Sequence, residues 1–169
     1  MKLLPQLICR ARKSAFWLWV MNLVLAWIIP FNRPHGFRIA MISENRARSA
    51  ASWRRVNRNH VRGIHACAIA TVAEMSAGFL LLSRLDPGRY RLIMARLEVD
   101  YSYQAKDLIV SESELSDERL LQEVIEPLRS QEKVSIRMRS EVRDRSGNEI
   151  AIAHTTWQVK RWDRVRTRV

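Results

Sequence analysis

NHVRGIHACAIATVAE, residues Asn59 to Glu74, passes from a polar, turn-prone segment into an apolar run that continues as MSAGFLLLSRL to Leu85. From Ile64 onward it contains no proline and is rich in Ala, Leu and Met, residues that lose little side-chain freedom in a helix. Asp86-Pro87-Gly88 then supplies strong stop chemistry. The spacing predicts one long helix over 64–85. A helix this apolar needs cover on most of its surface, so the rest of the chain has to wrap it.

The flanking segments read as that cover. Ala95, Leu97, Val99 and Tyr101 alternate with Arg96, Glu98 and Asp100, the period of a strand with one buried face. A second strand is expected from Lys106 to about Glu114. Ser116 has the chemistry of a helix cap, with Asp117 and Glu118 in the first turn and Leu120, Leu121, Val124, Ile125 and Leu128 as an apolar stripe. Val134, Ile136, Met138 and Val142 alternate with Ser135, Arg137, Arg139, Glu141 and Arg143, and Ser146-Gly147-Asn148 turns the chain into a partner strand ending near Trp162. On the N-terminal side, Phe37–Ile42 and Arg46–Trp53 form a predicted first hairpin. The fold class is α+β: an antiparallel sheet around a long central helix, preceded by an N-terminal helical extension. The boundaries are 1–36 for the extension, 37–162 for the domain and 163–169 for a basic tail.

At 169 residues and 47% hydrophobic composition, the chain accommodates one buried core and not two comfortable domains. Ser14 to Asn32 carries no charge, and AFWLWVMNLVLAWIIPF follows the basic Arg10, Arg12 and Lys13 as an anchor would. It falls short of the roughly 20 apolar residues a spanning helix needs, contains Asn22 and closes at Pro30. Trp17, Met21, Val24, Leu25 and Ile28 recur at helical spacing, so the favoured reading is a helix buried against the domain or a second subunit. Contact of residues 1–35 with a membrane surface through Trp17, Trp19 and Trp27 is the second reading.

Charge is unevenly spread. Residues 1–62 hold twelve Lys and Arg against the single acid Glu44, whereas the remainder holds seventeen basic and sixteen acidic residues. Such a front suits a phosphate-bearing partner: anionic lipid, coenzyme A or, least favoured, nucleic acid. A solvated basic surface explains the same letters. The two cysteines, Cys9 and Cys67, form no disulfide framework and fit a reducing cytoplasm, including the inner face of its membrane. The four His and two Cys show no zinc-ligand spacing, so no metal is expected.

Asn59 precedes His65 by six positions, His65 opens the predicted helix, and Glu74 follows it by nine. In these intervals, and in the strand order over 37–162, the chain resembles the acyl-CoA thioesterases of the hotdog superfamily. It looks most like their uncharacterised bacterial branch assigned as tetrameric acyl-CoA thioesterases. The family's His-Gly-Gly stands here as His65-Ala66-Cys67, so the two glycines that let substrate approach the backbone are replaced. Arg62 and Gly63 likewise stand where Gly and Thr are usual.

The resemblance implies thioester hydrolysis without a dissociable cofactor, coenzyme A entering as part of the substrate. The Ala66 N–H at the helix start is the expected oxyanion donor, and Glu74, the only acid between Glu44 and Asp86, the expected general base or nucleophile. Asn59 is expected to orient water or the thioester carbonyl, and His65 to shape the helix entrance. Gly63, Cys67, Arg62 and Arg58 are the expected substrate contacts, the arginines toward phosphate, with Cys67 a small buried thiol rather than a nucleophile. Apolar neighbours are expected to raise the Glu74 pKa. Nine helical steps put His65 and Glu74 on opposite sides of one helix, so the resemblance implies a site shared in a homodimer, or in two dimers joined as a tetramer. Each residue has a plainer reading: Glu74 as a partner for an arginine, Asn59 as a turn residue, His65 as a structural histidine. A non-catalytic acyl or acyl-CoA binding protein and a basic membrane-associated module are the alternative functions.

Overall fold

The computed structural model describes residues 4–165, so residues 1–3 of the extension and 166–169 of the expected tail lie outside the described residues. Its axis is helix α4 (Ala66–Arg84). His65 caps it: the backbone there is extended, and the imidazole Nδ1 accepts the Cys67 N–H at 3.1 Å. The helix therefore starts two residues later than expected. Ile64 is held outside it in a bridge to Arg58, its N–H donating to the Ala105 carbonyl at 2.8 Å. At the other end the Asp86 carboxylate accepts the Gly88 N–H at 2.8 Å and reverses the chain.

Six strands form one antiparallel sheet: β1 (Arg38–Ile42), β2 (Arg46–Ala51), β3 (Tyr90–Tyr101), β4 (Ile109–Glu114), β5 (Lys133–Asp144) and β6 (Glu149–Arg161), in the order β1-β2-β4-β5-β6-β3. This sheet curls around α4 in the hotdog arrangement. On β5 the residues from Val134 to Val142 alternate strictly between buried and outward positions. The outer face carries exposed ion pairs such as Arg46–Glu114 and Arg48–Glu112, each contributing at most about 1 kcal/mol. β3 begins at Tyr90, five residues before the alternation predicted it, and bulges between Met94 and Arg96. Ala95 is exposed, and Leu97 and Val99 are only half-buried, because β3 pairs with β6 on one side and has an open edge on the other.

Beneath α4 the interface is built from small residues: Ala47, Ser49 and Ala51 of β2 are buried with Ala73, Ser76 and Ala77 of α4. Ser76 lies 2.9 Å from both Ser111 and Ser113, and Ser113 lies 2.6 Å from Ser140. Ser76 and Ser140 both donate to the Ala73 carbonyl at 2.9 Å, and Ser49 donates to that of Val72. These five hydroxyls are buried and satisfied, so they incur little of the penalty of an unpaired polar group.

The extension forms α1 (Leu4–Ala11), α2 (Ala15–Ile28) and α3 (Asn32–His35). Asn22 explains how α2 is attached: its side chain accepts the Ile39 N–H at 2.7 Å and donates to the Ile39 carbonyl at 2.8 Å, mimicking a strand neighbour of β1. Met21 and Leu25 are buried, Trp17 and Val24 half-buried, and Ile28, expected inside, is exposed because the helix rests on the domain along one stripe only. Between β4 and β5, Ser116 accepts the Arg119 N–H at 3.2 Å and caps α5 (Asp117–Leu120). The following turn widens, Glu126 N–H reaching the Leu121 carbonyl, before α6 (Pro127–Ser130). Pro127 has no N–H to continue the regular ladder and its ring crowds the preceding turn. Leu120, Val124 and Leu128 face inward, whereas Leu121 is exposed.

Candidate active site

The segment entering α4 is organised by two asparagines. Asn57, 1% exposed, faces His35 Nδ1 at 2.8 Å through its Oδ1, and donates through its amide to the carbonyls of His35 and Ser52 at 2.9 and 3.0 Å. Its own carbonyl accepts the His65 N–H at 2.7 Å, so it sets where the helix begins. Asn59 Oδ1 accepts the N–H groups of Val61 and Gly63 at 3.1 and 2.9 Å and closes a tight turn. Within that turn Arg62 takes a left-handed backbone with φ 63°, a conformation an Asn or Gly would adopt more readily. A Cβ at Gly63 would stand 2.7 Å from the exposed Gln104 side chain, which would have to swing aside. Trp53 spans the same loop, donating from Nε1 to the Arg62 carbonyl at 2.9 Å while the Arg58 guanidinium lies 3.9 Å above its ring centre.

At the helix start the Cys67 N–H is occupied by His65, and the Ala66 N–H makes no hydrogen bond among the described residues. Cys67 is exposed, contrary to the buried thiol expected, because the second helical residue lies where the sheet does not reach. Tyr101, at the end of β3, donates its hydroxyl to the Ala66 carbonyl at 3.1 Å, and burial followed by the nearby Cys67 raises its pKa above the usual tyrosine value.

Glu74 lies on the side of α4 that faces β3, β6 and the end of α2 across a cavity. Cys67, Ala70, Thr71, Glu74, Met75 and Gly78 form one stripe along a cavity of about 620 Å³, closed by Leu25 and Ile29 of α2, Leu92, Met94 and Leu97 of β3, and Trp157 of β6. The Glu74 carboxylate has no hydrogen-bond or ion-pair partner among the described residues, and burial alone pushes its pKa from 4.5 up to about 7. Its Oε1 lies 3.3 Å from where a Cβ on Gly78 would stand, so that glycine leaves the carboxylate and the Trp157 ring their room. The other polar groups lining the cavity include Thr71, whose hydroxyl donates to the Cys67 carbonyl at 2.8 Å, and the buried Asn32, whose amide faces Met75 sulfur at 3.9 Å.

The structure thus brings Glu74 and Cys67 onto one cavity. His65, Ala66, Arg58 and Cys67 gather around the helix mouth, where His65, Arg58 and Cys67 border a second, smaller hollow. Asn59, Arg62 and Gly63 form the adjoining loop. Ala66 and Glu74 are separated by eight residues of helix, about 12 Å of rise. Asn57, Asn32 and Tyr101 carry no local signal of these contacts: their side chains meet His35, Met75 and Ala66, each at least 22 positions away. Among the described residues no group of three or more His, Cys, Asp or Glu side chains could hold a metal ion.

The family model described as a domain of unknown function, DUF4442, matches residues 18–159. The chain belongs to this family. Among curated proteins none matches the chain in sequence. Among solved structures it is similar to PA5026 of Pseudomonas aeruginosa, a protein of unknown function called a probable thioesterase. That pair shares 23% identity, with a TM-score of 0.77 over 84% of this chain and 94% of that one. It is also similar to the thioesterase HI1161 of Haemophilus influenzae, at 10% identity and TM-score 0.67 over 89% and 95%. A protein of unknown function from Chlorobaculum tepidum, OLEI01261, gives 10% identity and TM-score 0.73 over 89% and 98%. At these identities the likeness is one of fold, and it agrees with the hotdog architecture that the strand order shows.

Proposed function

We propose that the protein hydrolyses an acyl-CoA thioester at a site completed by a second copy of the chain. One observation carries this reading: an unpartnered carboxylate, Glu74, with its pKa near 7, set in the wall of an apolar cavity large enough for an acyl group. In the proposed reaction Glu74 takes a proton from water as the water oxygen bonds to the thioester carbon. The Ala66 N–H of the other copy holds the oxyanion, with the positive end of the helix dipole behind it. The C–S bond then breaks and the sulfur leaves with the proton returned by Glu74. A carboxyl half-ionised near neutral pH can both take and give that proton.

Two features support the shared arrangement. An oxyanion donor and a base acting on one carbonyl have to lie within a few ångströms of it, which about 12 Å of helical rise within one chain prevents. The open edge of β3 also offers twelve residues of backbone for pairing with another β3. Arg58 and Arg62 beside the helix mouth suit the phosphates of coenzyme A, and the aromatic platform of Trp53 lies with them.

A second reading, an acyl-CoA binding protein without turnover, is favoured by the Ala66 and Cys67 side chains, which occupy the helix mouth where glycines would leave the backbone bare. A panel of aliphatic and aromatic acyl-CoA thioesters, assayed with wild type and Glu74→Gln at concentrations that keep the oligomer intact, separates the two. Hydrolysis by wild type, reduced about 10²- to 10⁴-fold in kcat by Glu74→Gln, is expected. Equal turnover by both proteins removes Glu74 from the mechanism, and binding without turnover in both selects the second reading.

A further inference from the structure

The outer face of α2 has no role in the site just described. Phe16, Trp19, Leu23 and Trp27, at intervals of three, four and four residues, form one stripe and are 61%, 56%, 51% and 81% exposed. Met21 and Leu25 on the opposite side are buried, and Asn22 ties the helix to β1, so the orientation of the exposed stripe is fixed by the fold. Isolated exposed apolar residues need no explanation, but two tryptophans, a phenylalanine and a leucine in one row do. The stripe continues through exposed Ile28, the last residue of the helix, into exposed Ile29 and Phe31 beyond it.

Charge identifies what covers it. Exposed Arg10 and Lys13 lie before the helix and exposed Arg33 after it, and none of the three is ion-paired among the described residues. Arg10 instead stacks over Trp17 at 4.6 Å. The only acid in the first 62 residues is Glu44. A second copy seated face to face on this stripe would bring two sets of these cations together with no acid from α2 to offset them. A layer of anionic headgroups over hydrocarbon matches both features, tryptophans at the boundary and basic side chains among the phosphates. The helix has 14 residues, about 21 Å, well short of the roughly 30 Å hydrocarbon core, so it lies in the boundary rather than crossing it.

We propose that α2 docks the protein on an anionic phospholipid bilayer, with Phe16, Trp19, Leu23 and Trp27 in the headgroup boundary and Arg10, Lys13 and Arg33 on the phosphates. Ile29 and Phe31 belong to both the stripe and the cavity that holds Glu74, so docking sets the rim of that cavity against the lipid. The docking itself does not depend on thioester hydrolysis.

Co-sedimentation of the full chain with vesicles tests this, comparing pure phosphatidylcholine with an equal mixture of phosphatidylcholine and phosphatidylglycerol. The wild type is expected to pellet with the anionic vesicles alone, its tryptophan emission shifting to shorter wavelength. Trp19→Ser/Trp27→Ser, whose side chains are exposed and whose folding is checked by circular dichroism, is expected to weaken the interaction by about a hundredfold. Replacing Arg10, Lys13 and Arg33 by Gln is expected to weaken it by at least about tenfold, and high salt to act likewise. The proposal is overturned if wild type stays in solution with anionic vesicles, or if the double Trp variant pellets as wild type does. It is also overturned if that variant instead dissociates an oligomer while wild type ignores lipid, which would assign the stripe to a second copy.

Discussion

Replacing Glu74 by Gln should change how the stability of this protein depends on pH. The carboxyl titrates near 4.5 when exposed and near 7 in the fold, so the folded state binds its proton more tightly than the unfolded chain does. Below about pH 4.5 both states are protonated and the group is neutral in effect. As pH rises from 4.5 to 7, only the unfolded chain releases the proton, and stability falls. Above 7 the loss is complete, at about 1.4 kcal/mol per pH unit over that interval, or roughly 3 kcal/mol. Glutamine keeps the shape and cannot ionise. Urea unfolding of wild type and Glu74→Gln, at matched protein concentration and at several pH values from 4.5 to 8, reads the difference directly. The variant should gain on wild type by roughly 3 kcal/mol across the series, other titrating groups cancelling in the comparison. Parallel stability curves would mean that the carboxylate is solvated or paired, and the cavity argument would fail with it.

Gly78→Ala adds a Cβ about 2.5 Å from the Trp157 ring, too close for either to stay in place. The better helix propensity of alanine, about 1 kcal/mol, should be outweighed by overpacking of about 1–3 kcal/mol. A lowered Tm with an altered near-ultraviolet tryptophan signal is expected, and an unchanged Tm and spectrum would contradict the close contact. Asn57→Ala leaves His35 Nδ1 and the His35 carbonyl without their partner in a half-buried setting, while the Ser52 carbonyl keeps the Arg54 N–H, so a loss of about 1–3 kcal/mol in denaturant unfolding is expected. A stability within about 0.5 kcal/mol of wild type would mean that the helix start is held by other contacts.

Much of this fold is legible in the sequence because its long elements obey a single period. The α4 run is apolar enough to demand wrapping, the alternation of β5 assigns each side chain to one face, and Ser116 states its cap locally. What escaped depends on partners that sequence distance conceals. β3 starts early because β6 continues to pair with it back to Tyr90, and its alternation is blurred where the strand borders a cavity. The length of the apolar stretch before Pro30 is visible, but which side of it is buried depends on the Asn22 clamp to Ile39. The Glu74 interval to His65 is readable as a spacing, whereas the emptiness around its carboxylate is a property of packing. Cys67 is exposed against expectation because smallness and apolar neighbours argue for burial only where a covering layer exists.

The serine hydroxyls beneath α4 bear on a group they never touch. Ser76 meets hydroxyls from two different strands, and its neighbours hold the carbonyls of residues 72 and 73, so the helix cannot roll about its own axis without breaking several of these bonds at once. Glu74 follows directly in the chain and inherits that fixed roll. A carboxylate that nothing grips from above is thereby aimed from below, its bearing stable while its charge state stays free to change.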